Sequence, residues 1–198
     1  VNSVLTSLSL SSNQIGEEGA KAIGEALKVN RVLKDINFAY NKLWNLVYTI
    51  CGAGSSYGSY TYEYESINAI ADALRVNSVL TSLNVGGNKL PRGAALGIVR
   101  AVRQQGNMKK LGLADCGCGI GAPGGRVIAD YVRVSSVLTC LHLWDNMLGV
   151  EGAKAMGEAL RVNSVLTSLK LHGNEIGDEG AKAIADAVHA AGAYFYMD

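Results

Sequence analysis

The sequence predicts an α/β solenoid in which a parallel sheet lines one side and helices line the other. Two observations carry that prediction. The first is a near-verbatim recurrence. The opening "VNSVLTSLSLSSNQIGEEGAKAIGEALKVN" returns as "VSSVLTCLHLWDNMLGVEGAKAMGEALRVN" from Val134 and as "VNSVLTSLKLHGNEIGDEGAKAIADAV" from Val162. The second is the pattern inside each copy, a short alternating stretch, a turn, and a run with helical spacing. One copy cannot bury its apolar face alone, whereas stacked copies can.

The register of the copies follows from the first Leu of each L-x-L core. These positions are Leu8, Ile36, Leu83, Leu111, Leu141 and Leu169, separated by 28, 47, 28, 30 and 28 residues. An Asn five places on keeps the same register at Asn13, Asn41, Asn88, Asn146 and Asn174, with Cys116 in the remaining slot. The unit is therefore 28 residues, and one step is longer by 19.

Taken in order, the first unit sets Leu8 and Leu10 between Ser7, Ser9 and Ser11, the two-residue period of a strand with one buried face. Its helix carries Ala20, Ile23 and Leu27 on one stripe, with Glu17 and Glu18 near the positive N-terminal end. In the second unit the helix resumes at "ESINAIADALRVN", where Ile67, Ile70 and Leu74 repeat that stripe. The extra residues thus fall between Leu43 and Glu65, in the turn from strand to helix. The third unit is regular. The fourth has a turn lengthened by two residues, "GIGAPG", with Pro123 where a helix can begin. The fifth and sixth repeat the first closely.

The pattern L-x-L-x-x-N-x-I-G-x-E-G-A-x-A-I-x-x-A-L resembles the leucine-rich repeat of the ribonuclease-inhibitor type, also used by intracellular NOD-like receptors. The resemblance implies a right-handed horseshoe segment of about six repeats, with an inner parallel sheet and outer helices, forming one domain over residues 1–198. It also implies that the turn Asn bonds backbone groups along the stack and that Cys is an accepted substitute. Cys116 is accordingly expected as a ladder residue. Val1-Asn2 matches the Val-Asn that closes later helices, and Met197 falls where another core strand would begin. The chain is therefore expected to be a piece of a longer array, or a unit whose ends are covered by neighbouring repeats or subunits.

Composition narrows the function. With 18 basic and 17 acidic residues the net charge is +1, which argues against a nucleic-acid or general polyanion binder. No apolar run is long enough for a membrane span. Four Cys without regular disulfide spacing, and no glycosylation sequon, favour a reducing, cytoplasmic setting.

Three constellations bear on catalysis, and each has a simpler reading. The G-x-G-x-x-G at Gly119–Gly124 follows a strand-like run and precedes a helix, as a dinucleotide loop does, but position 139, where an acidic ribose partner is expected, is Thr. Cys116, Cys118, Cys140, His142 and His172 divide between a turn and a strand face, without zinc-site spacing. The serines belong to the repeat consensus and so serve every unit alike. No catalytic residue, cofactor or metal ligand is assigned, and the chain is read as non-enzymatic.

What remains is surface recognition by protein partners. Alternation places His142, Trp144, Lys170 and His172 as lateral neighbours on the open face of the last two strands, an aromatic beside cationic side chains. Packing of Trp144 on a neighbouring strand is the competing reading. The insertion at 44–65 holds Trp44, Tyr48, Tyr57, Tyr60, Tyr62 and Tyr64, six of the 13 aromatic residues, among Gly and Ser. That mixture gives contact area and adaptability together, as in antibody paratopes. A neutral loop expansion, or a small hairpin at the sheet edge, is the simpler alternative. The expected function is a protein-interaction scaffold, alone or as one subunit of an assembly. The alternative is a regulator of an enzyme, in the manner of nuclease inhibitors or small-GTPase activators.

Overall fold

The computed structural model describes residues 2–43, 45–50, 58–63, 65–116 and 119–191. Fourteen elements follow one another in the described chain. They are β1 (Ser7–Ser9), α1 (Glu17–Val29), β2 (Asp35–Asn37), β3 (Asn45–Ile50), β4 (Gly58–Glu63), α2 (Glu65–Val76) and β5 (Ser82–Asn84). Then come α3 (Arg92–Gln105), β6 (Lys110–Gly112), α4 (Gly121–Val134), β7 (Cys140–His142), α5 (Gly149–Leu160), β8 (Ser168–Lys170) and α6 (Gly177–Ala191).

Six strands form one parallel sheet in the order β1-β2-β5-β6-β7-β8, with no register slip from one repeat to the next. The register is set by burial. The central row, Ile36, Leu83, Leu111 and Leu141, points inward and is no more than 1% exposed, whereas Leu8 and Leu169 on the outermost strands are only partly covered. A slip of one residue would turn that whole row to solvent. Behind the sheet, each helix contributes a stripe such as Ile67, Ile70 and Leu74, and a single apolar core runs from Ala20 to Ala187. Each fully buried aliphatic side chain contributes about 1.5–3 kcal/mol relative to exposure.

Adjacent helices are registered by exposed ion pairs, Lys21–Glu65 at 2.9 Å, Arg126–Glu151 at 3.2 Å and Lys154–Glu179 at 2.8 Å. The pairing repeats because the Lys or Arg in one helix and the Glu in the next occupy equivalent repeat positions.

The turn from strand to helix is where the chain is most constrained. The residue before each ladder position is left-handed throughout: Ser12, Tyr40, Asp115 and Asp145 have φ of 59°, 55°, 46° and 53°, and Gly87 and Gly173 have 68°. For a residue with a Cβ this costs roughly 1–2 kcal/mol. The ladder Asn offsets the cost. Asn41 donates from Nδ2 to the carbonyls of Leu10 (2.8 Å) and Phe38 (2.9 Å), while its Oδ1 accepts the N–H groups of Asn13 (3.0 Å) and Ile15 (2.9 Å). Asn88, Asn146 and Asn174 make the equivalent bonds. Cys116 fills the remaining slot as expected, with Sγ donating to the Leu113 carbonyl at 3.0 Å and its N–H reaching Asn146 Oδ1 at 3.4 Å. Burial pushes the Cys116 thiol up to about 12, so it stays protonated.

A second ladder, less regular than the first, runs along the turn from helix to strand. Asn77 donates to the carbonyls of Leu27 (2.7 Å) and Asn30 (3.1 Å) in the preceding repeat and accepts the N–H groups of Val79 and Leu80. Asn163 repeats this with Val132, Ser135, Val165 and Leu166. Gln105 takes over in the third repeat, donating to Asn77 and Leu80 carbonyls. Repeats one to three, and repeats four and five, are thus tied at this edge too, whereas at Ser135, between them, the hydroxyl accepts the Leu138 N–H.

Between β2 and α2, β3 and β4 form a separate antiparallel pair that sets Tyr48 opposite Tyr60 and Leu46 opposite Tyr62. Ser66 Oγ donates to the Leu43 carbonyl at 2.8 Å, closing the repeat beneath this pair.

Candidate functional site

The open face of the sheet is built from three in-register rows. The first runs Ser7, Asp35, Ser82, Lys110, Cys140, Ser168; the second runs Ser9, Asn37, Asn84, Gly112, His142, Lys170. The third follows each strand and ends in Ala114, Trp144 and His172. Its small members Ala39 and Ala114 are buried, at 5% and 3% exposure, so this part of the face is smooth backbone and short side chains.

Relief appears at β7 and β8. Trp144 and His172, 28 residues apart and therefore side by side, stack with ring centroids 5.5 Å apart and planes inclined by 8°. The offset face-to-face arrangement fixes both rings while leaving Trp144 half-buried and His172 exposed. Beside them, His142 Nε2 lies 3.3 Å from Cys140 Sγ. Burial holds the His142 imidazole below its ordinary value, and the neighbouring Lys170 and His172 push the same way. His142 is therefore a neutral donor or acceptor near neutral pH, while Lys170 supplies the charge of the cluster. All four concave candidates thus lie together, His142 and Lys170 on the adjacent strands β7 and β8 and Trp144 and His172 two residues beyond them.

A shallow depression of about 190 Å³ adjoins them, lined by Asn37, Asn84, Lys110, Gly112, Cys140 and His142 among others. It exists because residue 112 is Gly: a Cβ there would run into the Asn84 carboxamide, which is held by the Gly86 N–H at 3.0 Å. Sites that enclose small molecules span about 300–1,000 Å³. The depression is smaller and suits a protruding side chain.

The other candidates fall elsewhere. Tyr48, Tyr60 and Tyr62 lie on β3 and β4. Trp44, Tyr57 and Tyr64 lie outside the described residues, as does Cys118. On the same edge, Tyr40 is 52% exposed and lays its ring across Gly87, whose φ of 68° and lack of a Cβ admit it. Sequence reasoning passed over Tyr40, although its position, 47 residues before the glycine of the next repeat, was a usable signal. The G-x-G-x-x-G glycines open α4, whose first turn carries no acidic residue. Among the described residues no group of three or more His, Cys, Asp or Glu is placed to hold a metal ion, and no helix is long and apolar enough to cross a membrane.

Comparison with known proteins agrees with the repeat fold. The Leucine Rich repeat family model matches residues 1–24, 134–157 and 162–185. No curated protein matches the sequence. Among solved structures, the chain is similar to Leiomodin-1 Actin-Binding Site 2, with a TM-score of 0.62 at 13% identity over 88% of each chain. It is also similar to a tropomodulin C-terminal domain of Caenorhabditis elegans, with a TM-score of 0.59 at 14% identity over 87% of this chain and 92% of that one. With three of its six strand–turn–helix units matched in sequence and all six stacked in one parallel sheet, the chain carries leucine-rich repeats and folds as a leucine-rich-repeat solenoid.

Proposed function

We propose that the chain is a non-enzymatic protein-interaction scaffold that holds a partner against the β7–β8 end of its concave face. The observation that carries this reading is the Trp144–His172 stack with Lys170 beside it, in a row whose members on the other strands, such as Ala39, Gly86 and Ala114, are small. Interface energy concentrates in a few aromatic and cationic anchors of this kind. A preformed stack also loses little side-chain freedom on binding. The Tyr-rich insertion is the second contact surface, on the strand-to-helix edge. The ribonuclease-inhibitor subtype fits the 28-residue period, and a reducing, cytoplasmic setting fits the free Cys116 and Cys140.

One of the similar structures is an actin-binding site, so actin is the first protein to assay. The broader test is capture of partners by the 198-residue chain, followed by affinity measurements on two variants. Trp144→Ala with His172→Ala should weaken binding by about tenfold or more, about 1.4 kcal/mol. Tyr57, Tyr60, Tyr62 and Tyr64 changed together to Ser tests the insertion. Loss in the tyrosine variant alone would move recognition to the insertion and away from the sheet.

A further inference from the structure

Five valines are strongly exposed, and apart from Val4 near the start of the chain they share one position of the repeat, the end of the helix. Val29, Val76, Val134 and Val162 are 76%, 58%, 58% and 66% exposed. Each immediately precedes a residue of the helix-to-strand turn, Asn30, Asn77, Ser135 or Asn163, that is tied by hydrogen bonds to an adjacent repeat. The ladder therefore sets Val29 beside Val76 and Val134 beside Val162 along that edge. The third repeat breaks the line with Gln104, flanked by the exposed Arg100 and Arg103.

The position just before each slot is always cationic: Lys28, Arg75, Arg103, Arg133 and Arg161. A positive charge at a helix C-terminus is favoured by the helix dipole, which accounts for the cations. It does not account for the valines. Val is a middling helix former, and an exposed one forgoes its burial energy. Lys28, Arg75 and Arg133 pair with Glu25, Asp72 and Glu158, while Arg103 and Arg161 make no ion pair among the described residues. Exposed pairs of this sort exchange readily for carboxylates of a partner.

We propose that this edge docks an acidic amphipathic α-helix of a protein partner, whose apolar residues recur about every seven positions. The spacing follows from geometry. Packed helices lie about 8–10 Å apart, and a helix laid across the row rises 1.5 Å per residue, so valines on adjacent repeats meet it after roughly five to seven residues, the upper end being close to two turns. Its carboxylates would face the cationic positions, most of all at Arg100 and Arg103. The surface lies on the helix-to-strand edge, away from both the concave cluster and the insertion, and stands independently of the function proposed above.

The test uses a capped helical peptide of about four heptads, built of Ala, Glu and Leu, with Leu at every seventh position and Glu beside each Leu. A scrambled peptide of the same composition and phosphatidylserine vesicles are the comparisons, with binding read by fluorescence anisotropy and sedimentation. The ordered peptide is expected to bind about tenfold more tightly than the scrambled one. That preference should vanish when the four valines become Ser, with circular dichroism unchanged because the residues lie outside the core. Arg103→Glu, which alters no valine, should weaken the peptide as well. Equal affinity for the two peptides, or an undiminished preference in the Val→Ser variant, overturns the proposal. Vesicle binding that depends on the valines, without a peptide preference, overturns it in favour of a membrane surface.

Discussion

Replacing Asn146 by Ala should destabilise the protein by at least about 3 kcal/mol, and that lower figure can be built bond by bond. Asn146 is fully buried, and Nδ2 donates to the carbonyls of Leu113 (2.8 Å), Leu143 (3.0 Å) and Trp144 (3.2 Å). None of these carbonyls is left bare by the substitution. Leu113 keeps Cys116 Sγ, Leu143 keeps Asn174 Nδ2, and Trp144 keeps the Asp115 N–H. Only the net worth of each bond is lost there, about 0.5–1.5 kcal/mol apiece, with the longest at the low end. The Cys116 N–H is different, because Asn146 Oδ1 is its partner and the group is buried. Leaving it unpaired costs about 1–3 kcal/mol. The matched control is Asn13→Ala, at the equivalent position of the first repeat. Asn13 is exposed and donates only to the Ser11 carbonyl at 3.2 Å, so its loss should cost under about 1 kcal/mol. In a thermal melt of a chain this size, about 3 kcal/mol lowers the midpoint by about 6–12 °C. Equal midpoints for the two variants would refute the argument that the ladder stabilises through buried backbone groups.

Three further outcomes follow from the same structure. Asn77→Ala should be as damaging as Asn146→Ala in urea denaturation, since it leaves the Val79 and Leu80 N–H groups without the Oδ1 they share; a near-neutral effect would mean that the second ladder is incidental. Because the folded state holds His142 below its ordinary 6.5, the unfolded chain takes up that proton first, so the contribution to stability is complete above pH 6.5 and is lost as pH falls below it. The urea midpoint should therefore drop more between about pH 7.5 and about pH 5.5 in the parent than in His142→Gln, and parallel drops would exclude His142 as the cause. Cys116 should resist iodoacetamide in the native state and react once unfolded, read by mass spectrometry; rapid native labelling would contradict its burial.

The repeat architecture was legible because period is a property of the sequence itself. Once Leu8, Ile36 and Leu83 are aligned, the strand row, the register of the turn Asn and the adjacency of Trp144 and His172 follow by counting, while the bonds of the turn ladder came from resemblance. The role of Cys116 came instead from resemblance to a known repeat. The near-parallel stack did not follow from counting, since it depends on how two rings turn about their own side-chain bonds. The second ladder was present in the text as a recurrent Val-Asn, but a residue that ends a helix and one that bonds the next repeat look alike until the Asn77 and Asn163 carboxamides are placed. The exposed valines were hidden for the related reason that an apolar residue at a helix end reads as core by default. The antiparallel pairing of β3 and β4 lies within the insertion, whose aromatic content signalled contact area without stating which surface the tyrosines serve.

The claim that recognition sits at the β7–β8 end of the concave face is tested most directly by site-specific photo-cross-linking. The row from Ser9 through Asn37, Asn84, Gly112 and His142 to Lys170 offers equivalent positions at its two ends. A benzophenone amino acid placed at Lys170 should cross-link to the captured partner, and the same probe at Ser9 should not. Cross-linking at Ser9 with none at Lys170 would contradict the assignment of the binding surface.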